Sequence, residues 1–461
     1  MRPERGSLPL EGTSDTLDRL AGLCQVISPA VIQQALAATG KHNPRRCCLT
    51  HEVMLWVVLA MGVFTDVPIR QVFKRCRRLR RDERTPTRSA LCEARQRLGS
   101  APVQHVFEQV VRPLATPQTP GAFYRGLRLV GIDGTVSNVP DSPANAAAFA
   151  RATGARGAGA FPQIRKVSAV ELGTHVEFAL AQGGWQNSEQ ELTPQLVEAL
   201  PDDALVLADR NFFSFSLWKR LTERRLRLLF RIKKNLKLKP LQVLADGSYL
   251  AKVYASSADR AADRDGLLVR VIEYTHHDPQ RVGCGEMHRL LTNLLDEQAY
   301  PALEVACLYH ERWEEELVYD EQKTHQDPRR ASKPAQLRSE TPDGVRQEVY
   351  ALSLAHFVVR ALMFAAATQA AADVDSLSFT GCLQVLRCRL PECLATTPAT
   401  VDQWYAALLW EMQDERVEPR RNRINPRVVK QKMSKFAKKR PEHRGIPPLK
   451  KRFGEIVVML N

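Results

Sequence analysis

Apolar residues recur at intervals of three and four through the first part of the chain, the spacing that predicts helices. The segments with this spacing are TLDRLAGLCQVI, SPAVIQQALAATG and HEVMLWVVLAMGVF. Ser28 stands before Pro29, which predicts a capped helix start with proline in the first turn. Two shorter helices are predicted for SALCEARQRLG and PVQHVFEQVVRPL. Residues 1–118 should therefore form an N-terminal helical domain.

The pattern changes near Phe123, where strands begin to alternate with helices. FYRGLRLVGID, ALVLADR and LRLLFRIKK are predicted strands, and QIRKVSAVELGTHVEFALAQ is predicted as two strands with a turn at Leu172–Thr174. NSEQELTPQLVEALP and SFSLWKRLTERR are predicted helices. The stretch from Ser137 to Gly159, rich in Ala, Gly, Pro and Asn, is predicted as an irregular loop. Strands and helices in this order indicate a mixed α/β sheet.

The remaining pattern completes the predicted organisation of the chain. A long helix should begin near Pro301 and run past Lys323, and an apolar helix after Pro342 should pack on the sheet. The predicted divisions are an N-terminal helical domain (1–118), the first part of an α/β core (119–235), an inserted β-rich subdomain (236–289), the second part of the core (290–372) and a C-terminal helical region with a basic tail (373–461).

Charge adds a partner to this picture. The 461 residues carry a formal net charge of +15, an excess that attracts polyanions such as nucleic acid. Between Arg416 and Arg452 there are fifteen Lys or Arg against two Glu, and a second basic cluster spans Arg70 to Arg81. Two separated basic regions suit a protein that holds a long ligand at several places. A merely well-solvated basic surface is the alternative, and part of the tail is expected to be disordered.

Cysteine usage and hydropathy exclude other classes. The ten cysteines form no C-x-x-C pair, so a zinc site is not expected. The longest apolar run, Val53 to Phe64, is shorter than the roughly 20 residues that a bilayer requires. The opening MRPERGSLPLEGTSD has no secretory signal pattern. We therefore expect a cytoplasmic protein with free thiols and no membrane partner.

Two aspartates occupy positions where α/β sheets collect ligands. Asp133 follows LRLVGI, at or just past the end of a predicted strand, and Asp209 ends the apolar run ALVLA. Carboxylates at the ends of neighbouring parallel strands can converge on one cation. An aspartate at a strand end is also often a simple turn former or helix cap. Position alone therefore leaves both interpretations open.

A third set of polar residues lies on the predicted helix LYHERWEEELVYDEQKTH. Tyr309, Arg312, Glu316 and Lys323 follow one another at intervals of three, four and seven, which at about 100° per residue places them within an arc of roughly 60°. Glu316 can bind Mg²⁺, the two cations can contact phosphate oxygens, and the tyrosine can donate a hydrogen bond. A solvated helix with intrahelical ion pairs is the competing interpretation, because acidic residues surround the same cations.

These residues resemble a known family. The run Tyr309-x-x-Arg312-x-x-x-Glu316-x-x-x-x-x-x-Lys323 is similar to the Y-R-E-K signature of the insertion-sequence-four family of transposases, with every spacing intact. Ile132-Asp133-Gly134-Thr135 resembles the segment around that family's first Asp, and Ala208-Asp209-Arg210-Asn211-Phe212 the segment around its second. SALCEARQRLGSAPV is similar to part of the family's leading domain.

The resemblance implies a DNA transposase with a ribonuclease-H-like core that contains an inserted β-rich subdomain. By this resemblance, residues 1–118 bind DNA and the core of 119–235 and 290–372 is catalytic. The implied partners are double-stranded DNA, as inverted-repeat ends and as target, and a second copy of the chain in a homodimer. The expected location is the bacterial cytoplasm, at the nucleoid. The implied catalytic and metal-binding residues are Asp133, Asp209 and Glu316, with two Mg²⁺ or Mn²⁺ ions per site, and the implied DNA-binding residues are Tyr309, Arg312, Lys323 and Arg210.

Two alternatives stay open at this point. One is a nuclease with the same core that cuts DNA without joining it, and the other is a host-adopted DNA-binding protein without catalysis. One detail of the family is also unsettled, because some members form a DNA hairpin and stack a base on a tryptophan of the inserted subdomain. All six tryptophans lie outside 236–289. A tyrosine of that stretch (249, 254 or 274) or Trp313 is a substitute, although the tyrosines are expected mainly to pack the subdomain.

Overall fold

The computed structural model describes residues 18–41, 48–77, 84–154, 157–279, 284–327, 337–393, 397–417 and 451–460. The chain forms two compact units that alternate along the sequence. Unit 1 comprises Met1–Pro120, Gly134–Ser188 and Glu316–Val417, and unit 2 comprises Gly121–Asp133, Glu189–Glu315 and Glu418–Asn461. Helices and strands both occur, so the predicted mixed α/β class is confirmed. The tail for which disorder is predicted lies mostly outside the described residues.

Unit 1 begins with the predicted helices. A 3₁₀ helix spans Asp18–Gln25, where the apolar spacing predicts a helix. Ser28 caps the next helix through its side chain, which accepts a hydrogen bond from the Val31 amide, as the Ser-Pro signal predicts. The α-helices that follow are α1 (Pro29–Ala38), α2 (His51–Val63), α3 (Ile69–Cys76), α4 (Arg88–Leu98) and α5 (Ala101–Val110). The basic cluster is helical through Cys76, and 78–83 lie outside the described residues.

The predicted loop of residues 137–159 is wrong. The stretch contains α6 (Pro143–Phe149), β3 (Arg151–Gly154) and the start of β4 (Gly157–Glu171). Ser142 caps α6 by accepting a hydrogen bond from the Asn145 amide at 3.1 Å, and Ala150, with φ 53°, ends it. Alanines favour a helix once such a cap is present. The pair of strands after it is confirmed as β4 and β5 (Val176–Gly184), joined antiparallel.

A long apolar helix forms the centre of unit 1. This helix, α12 (Pro342–Gln369), packs on α2, β5, α13 (Phe379–Arg389) and α14 (Pro398–Met412). Its apolar stretch is long enough to cross a membrane, but 78% of that stretch is buried within the protein. Gly62 permits close contact with α2, since a Cβ there would lie 2.2 Å from the Ala351 carbonyl oxygen. The helix therefore serves as the core element predicted after Pro342.

Unit 2 is built on three parallel strands. Strand β2 (Leu127–Asn138) pairs in parallel with β6 (Ala204–Ala208), which pairs in parallel with β7 (Arg227–Arg231). Every residue of β6 is buried, which explains its continuous apolar run. The short strand β1 (Phe123–Tyr124) pairs with β2. The intervening helices are α7 (Glu189–Leu192), a 3₁₀ turn (Thr193–Ala199) and α8 (Phe215–Glu223).

Antiparallel strands continue this sheet in unit 2. Strand β11 (His288–Thr292) pairs with β7 on one side and β10 (Leu267–His276) on the other. Strands β8 (Gln242–Val243), β9 (Tyr249–Val253) and β10 of the stretch 236–289 thus extend the parallel part of the sheet through β11. Arg270 is fully buried and donates hydrogen bonds to Ser248 Oγ at 2.7 Å and to the Tyr300 carbonyl at 2.7 Å. The remaining elements are α9 (Ser257–Ala261) and β12 (Val457–Met459).

The helix predicted from near Pro301 to beyond Lys323 is present as a continuous helical run of changing type. It comprises α10 (Ala302–Tyr309), a 3₁₀ turn (His310–Trp313), α11 (Glu314–Asp320) and a π turn (Glu321–His325). A 3₁₀ turn holds fewer residues than an α turn and a π turn holds more. The predicted 60° arc assumed a constant rotation per residue along one α-helix, and that assumption is therefore wrong.

Candidate active site

Asp133 and Asp209 occupy equivalent positions on neighbouring parallel strands. The last paired residues of β2 and β6 are Ile132 and Ala208, and each aspartate comes immediately after one of them. The prediction of parallel neighbours is confirmed. The strand β2 does not end there, because it continues to Asn138. The expected strand end at Asp133 is therefore wrong, and what ends at Ile132 is its pairing with β6.

Arg231 holds the same position on the third parallel strand. Ala208 is paired with Phe230 on β7, so Arg231 lies one residue beyond the pair, as Asp209 does. Its guanidinium contacts His288 Nδ1 at 2.9 Å. Burial and the nearby Arg231 guanidinium together lower the pKa of His288 to about 4, so the neutral ring accepts this hydrogen bond. Arg231 is not among the site residues predicted from the sequence, although it follows an apolar strand just as both aspartates do.

Arg312 contacts Asp133 within unit 2. Its Nη1 atom lies 3.5 Å from Asp133 Oδ2. The arginine side chain is 9% exposed and the aspartate side chain 21% exposed, so the carboxylate remains accessible to a ligand. The guanidinium also lies over the Trp313 ring, 5.4 Å from its centroid. A charged group held at the edge of a carboxylate can orient that carboxylate and meet an incoming phosphate.

Tyr309 links the helical run to the strand that precedes Asp209. Its hydroxyl donates a hydrogen bond to the Ala208 carbonyl at 3.3 Å, one residue before Asp209. Burial raises the pKa of Tyr309 to about 12, so the phenol stays protonated and acts as a donor at neutral pH. The tyrosine therefore attaches the end of α10 to the end of β6.

The segment after Asp209 turns sharply. Asp209 Oδ1 accepts a hydrogen bond from the Asn211 amide at 2.7 Å, the local turn that aspartate commonly forms. Gln190 donates to the Asn211 carbonyl at 2.5 Å. Arg210 is exposed between them. This leaves one oxygen of Asp209 outside the turn and places a cation at the surface beside it.

Lys323 and Glu316 belong to unit 1. Lys323 donates through Nζ to Thr135 Oγ1 and, at 3.0 Å, to the Val136 carbonyl, so it contacts the strand two residues past Asp133. Glu316 is exposed on α11. Thr135 is a contact that sequence reasoning did not assign, although it belongs to the Asp-Gly-Thr segment that carries the resemblance.

Two buried residues fix the π turn that carries Lys323. Glu321 accepts a hydrogen bond from Arg360 Nε at 3.0 Å and contacts His356 Nε2 at 2.9 Å. Gln322 accepts from Lys166 Nζ at 2.6 Å and donates to Glu177 Oε2 at 2.9 Å. Consecutive side chains are thus held in separate polar clusters. Wide helical turns of this kind occur frequently at functional sites.

The oxygen donors suit a hard divalent cation. Carboxylates favour Mg²⁺ or Mn²⁺ over softer metals, and Asp133 and Asp209 are both partly exposed at one edge of the parallel strands. All cysteines within the described ranges are free. The tyrosines of 236–289 are engaged locally: Tyr249 donates to Glu273 at 3.0 Å, Tyr254 to Asp263 at 2.7 Å, and Tyr274 is 4% exposed. They pack the β-rich stretch, as expected.

Comparison with known proteins identifies the class. A model described as "Transposase DDE domain" matches residues 124–358, and one described as "Insertion element 4 transposase N-terminal" matches residues 17–108. A protein of Escherichia coli (strain K12), "Transposase InsG for insertion sequence element IS4", is 31% identical over 440 residues, covering 93% of this chain and 96% of that protein. The chain therefore belongs to the IS4 family of DDE transposases.

Two further similarities are more limited. "Putative transposase InsZ" of the same organism is 28% identical over 198 residues, 42% of this chain and 64% of that protein. A cryo-EM structure of the piggyBac transposase synaptic complex with hairpin DNA has a TM-score of 0.43 at 12% identity, covering 85% of each chain. The family makes this protein a metal-dependent enzyme that binds DNA, cleaves it and transfers strands.

Proposed function

We propose that this transposase binds the terminal inverted repeats of an insertion sequence, cleaves the DNA there and joins the freed ends to target DNA. We further propose that Asp133, Asp209 and Glu316 are its catalytic carboxylates. The parallel register of β2 and β6 carries the proposal for the two aspartates, because it gives them equivalent positions. Glu316 is supported by its place in the Y-R-E-K spacing.

The three carboxylates would hold two Mg²⁺ or Mn²⁺ ions. Ions bound there would activate water or a 3′-hydroxyl for in-line attack and stabilise the leaving oxygen. Arg312 would keep Asp133 oriented and contact the scissile phosphate, since its guanidinium already lies at that carboxylate. Tyr309 would fix the position of Asp209 through the carbonyl that precedes it.

Lys323 and Arg210 are the proposed contacts to neighbouring phosphates. Lys323 is held by Thr135 and Val136, next to the first carboxylate in the sequence, and Arg210 is exposed directly after the second. Phosphate contacts of this kind fix the register of DNA without selecting its sequence. The basic residues of the N-terminal helices and of the tail would hold the more distant DNA.

The larger organisation is part of the same proposal. The α/β strands would form a ribonuclease-H-like core, 1–118 would bind transposon ends, and 236–289 would be an insertion into that core. Two copies would act together on a pair of ends, in the bacterial cytoplasm at the nucleoid. Support comes from the IS4 family membership of the chain.

Asp133→Asn tests the catalytic assignment. The variant should still bind DNA fragments that carry the ends of the element, because an amide keeps the size of the side chain. Mg²⁺-dependent cleavage should fall by at least about a hundredfold, the scale of losing one essential electrostatic group. Cleavage is measured on labelled fragments with Mg²⁺, with Mn²⁺ and with EDTA, and bound Mn²⁺ is counted by electron paramagnetic resonance.

Asp202→Asn is the matched control. That carboxylate lies near β6 in the sequence but is 94% exposed, so cleavage by the variant should equal that of the wild type. Full cleavage by Asp133→Asn would remove Asp133 from the mechanism. Cleavage without joined products, on a target plasmid, would instead favour the nuclease alternative.

A further inference from the structure

Residues 451–460, here called the C-terminal segment, form part of unit 2 and begin with the last two cations of the basic tail. Strand β12 pairs antiparallel with β10, with Tyr274 opposite Met459 and His276 opposite Val457. The His277 amide donates to the Ile456 carbonyl at 3.1 Å, and the Leu460 amide donates to the Glu273 carbonyl at 2.9 Å. The segment is therefore an integral strand of this sheet.

Phe453 connects the C-terminal segment to the helical run that carries Tyr309 and Arg312. Its ring is parallel to that of His310, with an interplanar angle of 5° and centroids 4.4 Å apart. The same ring meets Tyr274 edge-on at 6.4 Å. Parallel and edge-on contacts are the favourable geometries for aromatic pairs. Phe453 thus fills the space between β10 and the start of the 3₁₀ turn.

A second contact brings the backbone of the segment against α10. A Cβ on Gly454 would lie 3.3 Å from Cys307 Sγ, a distance tight enough that only a glycine fits without a shift. The turn Phe453–Glu455 is closed by the Arg452 amide, which donates to the Glu455 carboxylate at 3.2 Å. The segment consequently presents a fixed surface to α10.

His310, the residue stacked on Phe453, lies between two residues that contact the candidate site. It follows Tyr309, whose hydroxyl bonds the Ala208 carbonyl, and precedes by two residues Arg312, whose guanidinium meets Asp133. The turn His310–Trp313 is 3₁₀, a form with poorer hydrogen-bond geometry than an α-helix. Its placement must therefore depend on side-chain contacts from outside, and the Phe453 ring is one of them.

We propose that the C-terminal segment positions Arg312 for the reaction, with Phe453 as the positioning residue acting through His310. The inference rests on the proposed function of Arg312. It adds a role for a part of the chain that is distant in sequence from every motif residue. Removal of the ring takes away its stacking contact with His310, and the 3₁₀ turn should shift as a result. Misplacement of a catalytic group by about 1 Å can cost on the order of 10²-fold in rate.

Three variants separate positioning from folding. Phe453→Ala should lower kcat for cleavage by about tenfold to a hundredfold, with KM and the Kd for end DNA within about twofold of the wild type. Phe453→Tyr, which keeps the ring, should restore kcat. Val458→Ala is the control, since that residue is on β12 but 44% exposed, and it should behave as the wild type.

A spectroscopic measurement makes the test independent of activity. Trp313 lies next to Arg312 and under its guanidinium, so its resonance in fluorine NMR of 5-fluorotryptophan-labelled protein, assigned through Trp313→Phe, reports the turn. The resonance should move in Phe453→Ala and stay in Val458→Ala. An unmoved resonance with unchanged kcat overturns the proposal, as does a Phe453→Tyr variant as slow as Phe453→Ala. If the resonance moves in Phe453→Ala but the Asp133→Asn variant still cleaves DNA, the proposed function is contradicted and the positioning by Phe453 is not.

Discussion

The two residues before Lys323 fix the orientation of its side chain. Glu321 and Gln322 are buried in separate polar clusters, and the lysine that follows is left to reach Thr135. Although burial by itself raises the pKa of Glu321, the Arg360 guanidinium and contacts with His175 and His356 hold that pKa well below its ordinary value. The carboxylate is therefore charged inside the protein and depends on its cation.

Arg360→Met should be strongly destabilising for this reason. Removing one partner of a buried pair leaves an uncompensated charge, which costs about 3–5 kcal/mol. The loss should appear in urea unfolding at neutral pH. The difference between variant and wild type should shrink as the pH is lowered, because the isolated carboxylate of the variant can then take up a proton. As the pH falls below 4.5, the wild type also loses the stability that the depressed pKa of Glu321 provides at higher pH.

Arg346→Met provides the comparison on the same helix. Arg346 is exposed and lies over the Phe149 ring at 5.7 Å, so its replacement should cost no more than about 1 kcal/mol. Equal destabilisation by both variants would contradict the buried-pair argument.

At the scale of elements, the sequence predicts some features well and others poorly. The strands β6 and β7 and helix α8 follow directly from apolar patterns that their burial requires. The composition of 137–159, rich in alanine and glycine, conceals helix α6, although Ser142-Pro143 is a helix start signal. The change to a π turn at Glu321 depends on Arg360, 39 residues further on, and no local spacing contains that information.

The candidate site divides in the same way. Asp133 and Asp209 could be placed on neighbouring strands from their positions after apolar runs. The alignment of Arg231 with them follows from the strand register, and the contact between Phe453 and His310 follows from a distant strand pairing. Both depend on which strands pair, which the pattern along the chain leaves open.

The contact of α2 with α12 gives a prediction for elements. Gly62→Ala would bring a Cβ to 2.2 Å from the Ala351 carbonyl oxygen and 2.8 Å from Ala355 Cβ, so the two helices must separate. A strain of this kind costs about 1–3 kcal/mol, measurable as a lower melting temperature. Gly159→Ala is the control, since its Cβ would stay 3.4 Å from its nearest neighbour. An unchanged melting temperature for Gly62→Ala would show that the helices yield without cost.

At the scale of the whole molecule, positive charge is concentrated in the tail. The stretch from Arg416 to Arg452 has fifteen cations, and most of it lies outside the described residues. The C-terminal segment, which begins at the end of this stretch, contributes strand β12 to unit 2. Removing everything after Val417 would therefore take away both the positive charge and strand β12. A variant that keeps the strand is required to test the charge alone.

Replacing Lys430, Lys432, Lys435, Lys438 and Lys439 with glutamine isolates the charge. Binding to DNA should weaken, and the slope of log K against log salt should fall by about 0.9 for each phosphate that is no longer neutralised. Filter binding or fluorescence anisotropy across a salt series measures both. The same five lysines changed to arginine should keep the slope, and an unaltered slope in the glutamine variant would assign the tail another purpose.

The pairing of β12 with β10 also has a consequence for biosynthesis. Val457 emerges from the ribosome roughly 180 residues after His276, its partner. Throughout that interval the backbone groups of β10 that pair with β12 lack this partner strand, and an unpaired strand edge can associate with other chains. Translation that stops early would release a protein with this edge uncovered, a natural substrate for chaperones and proteases.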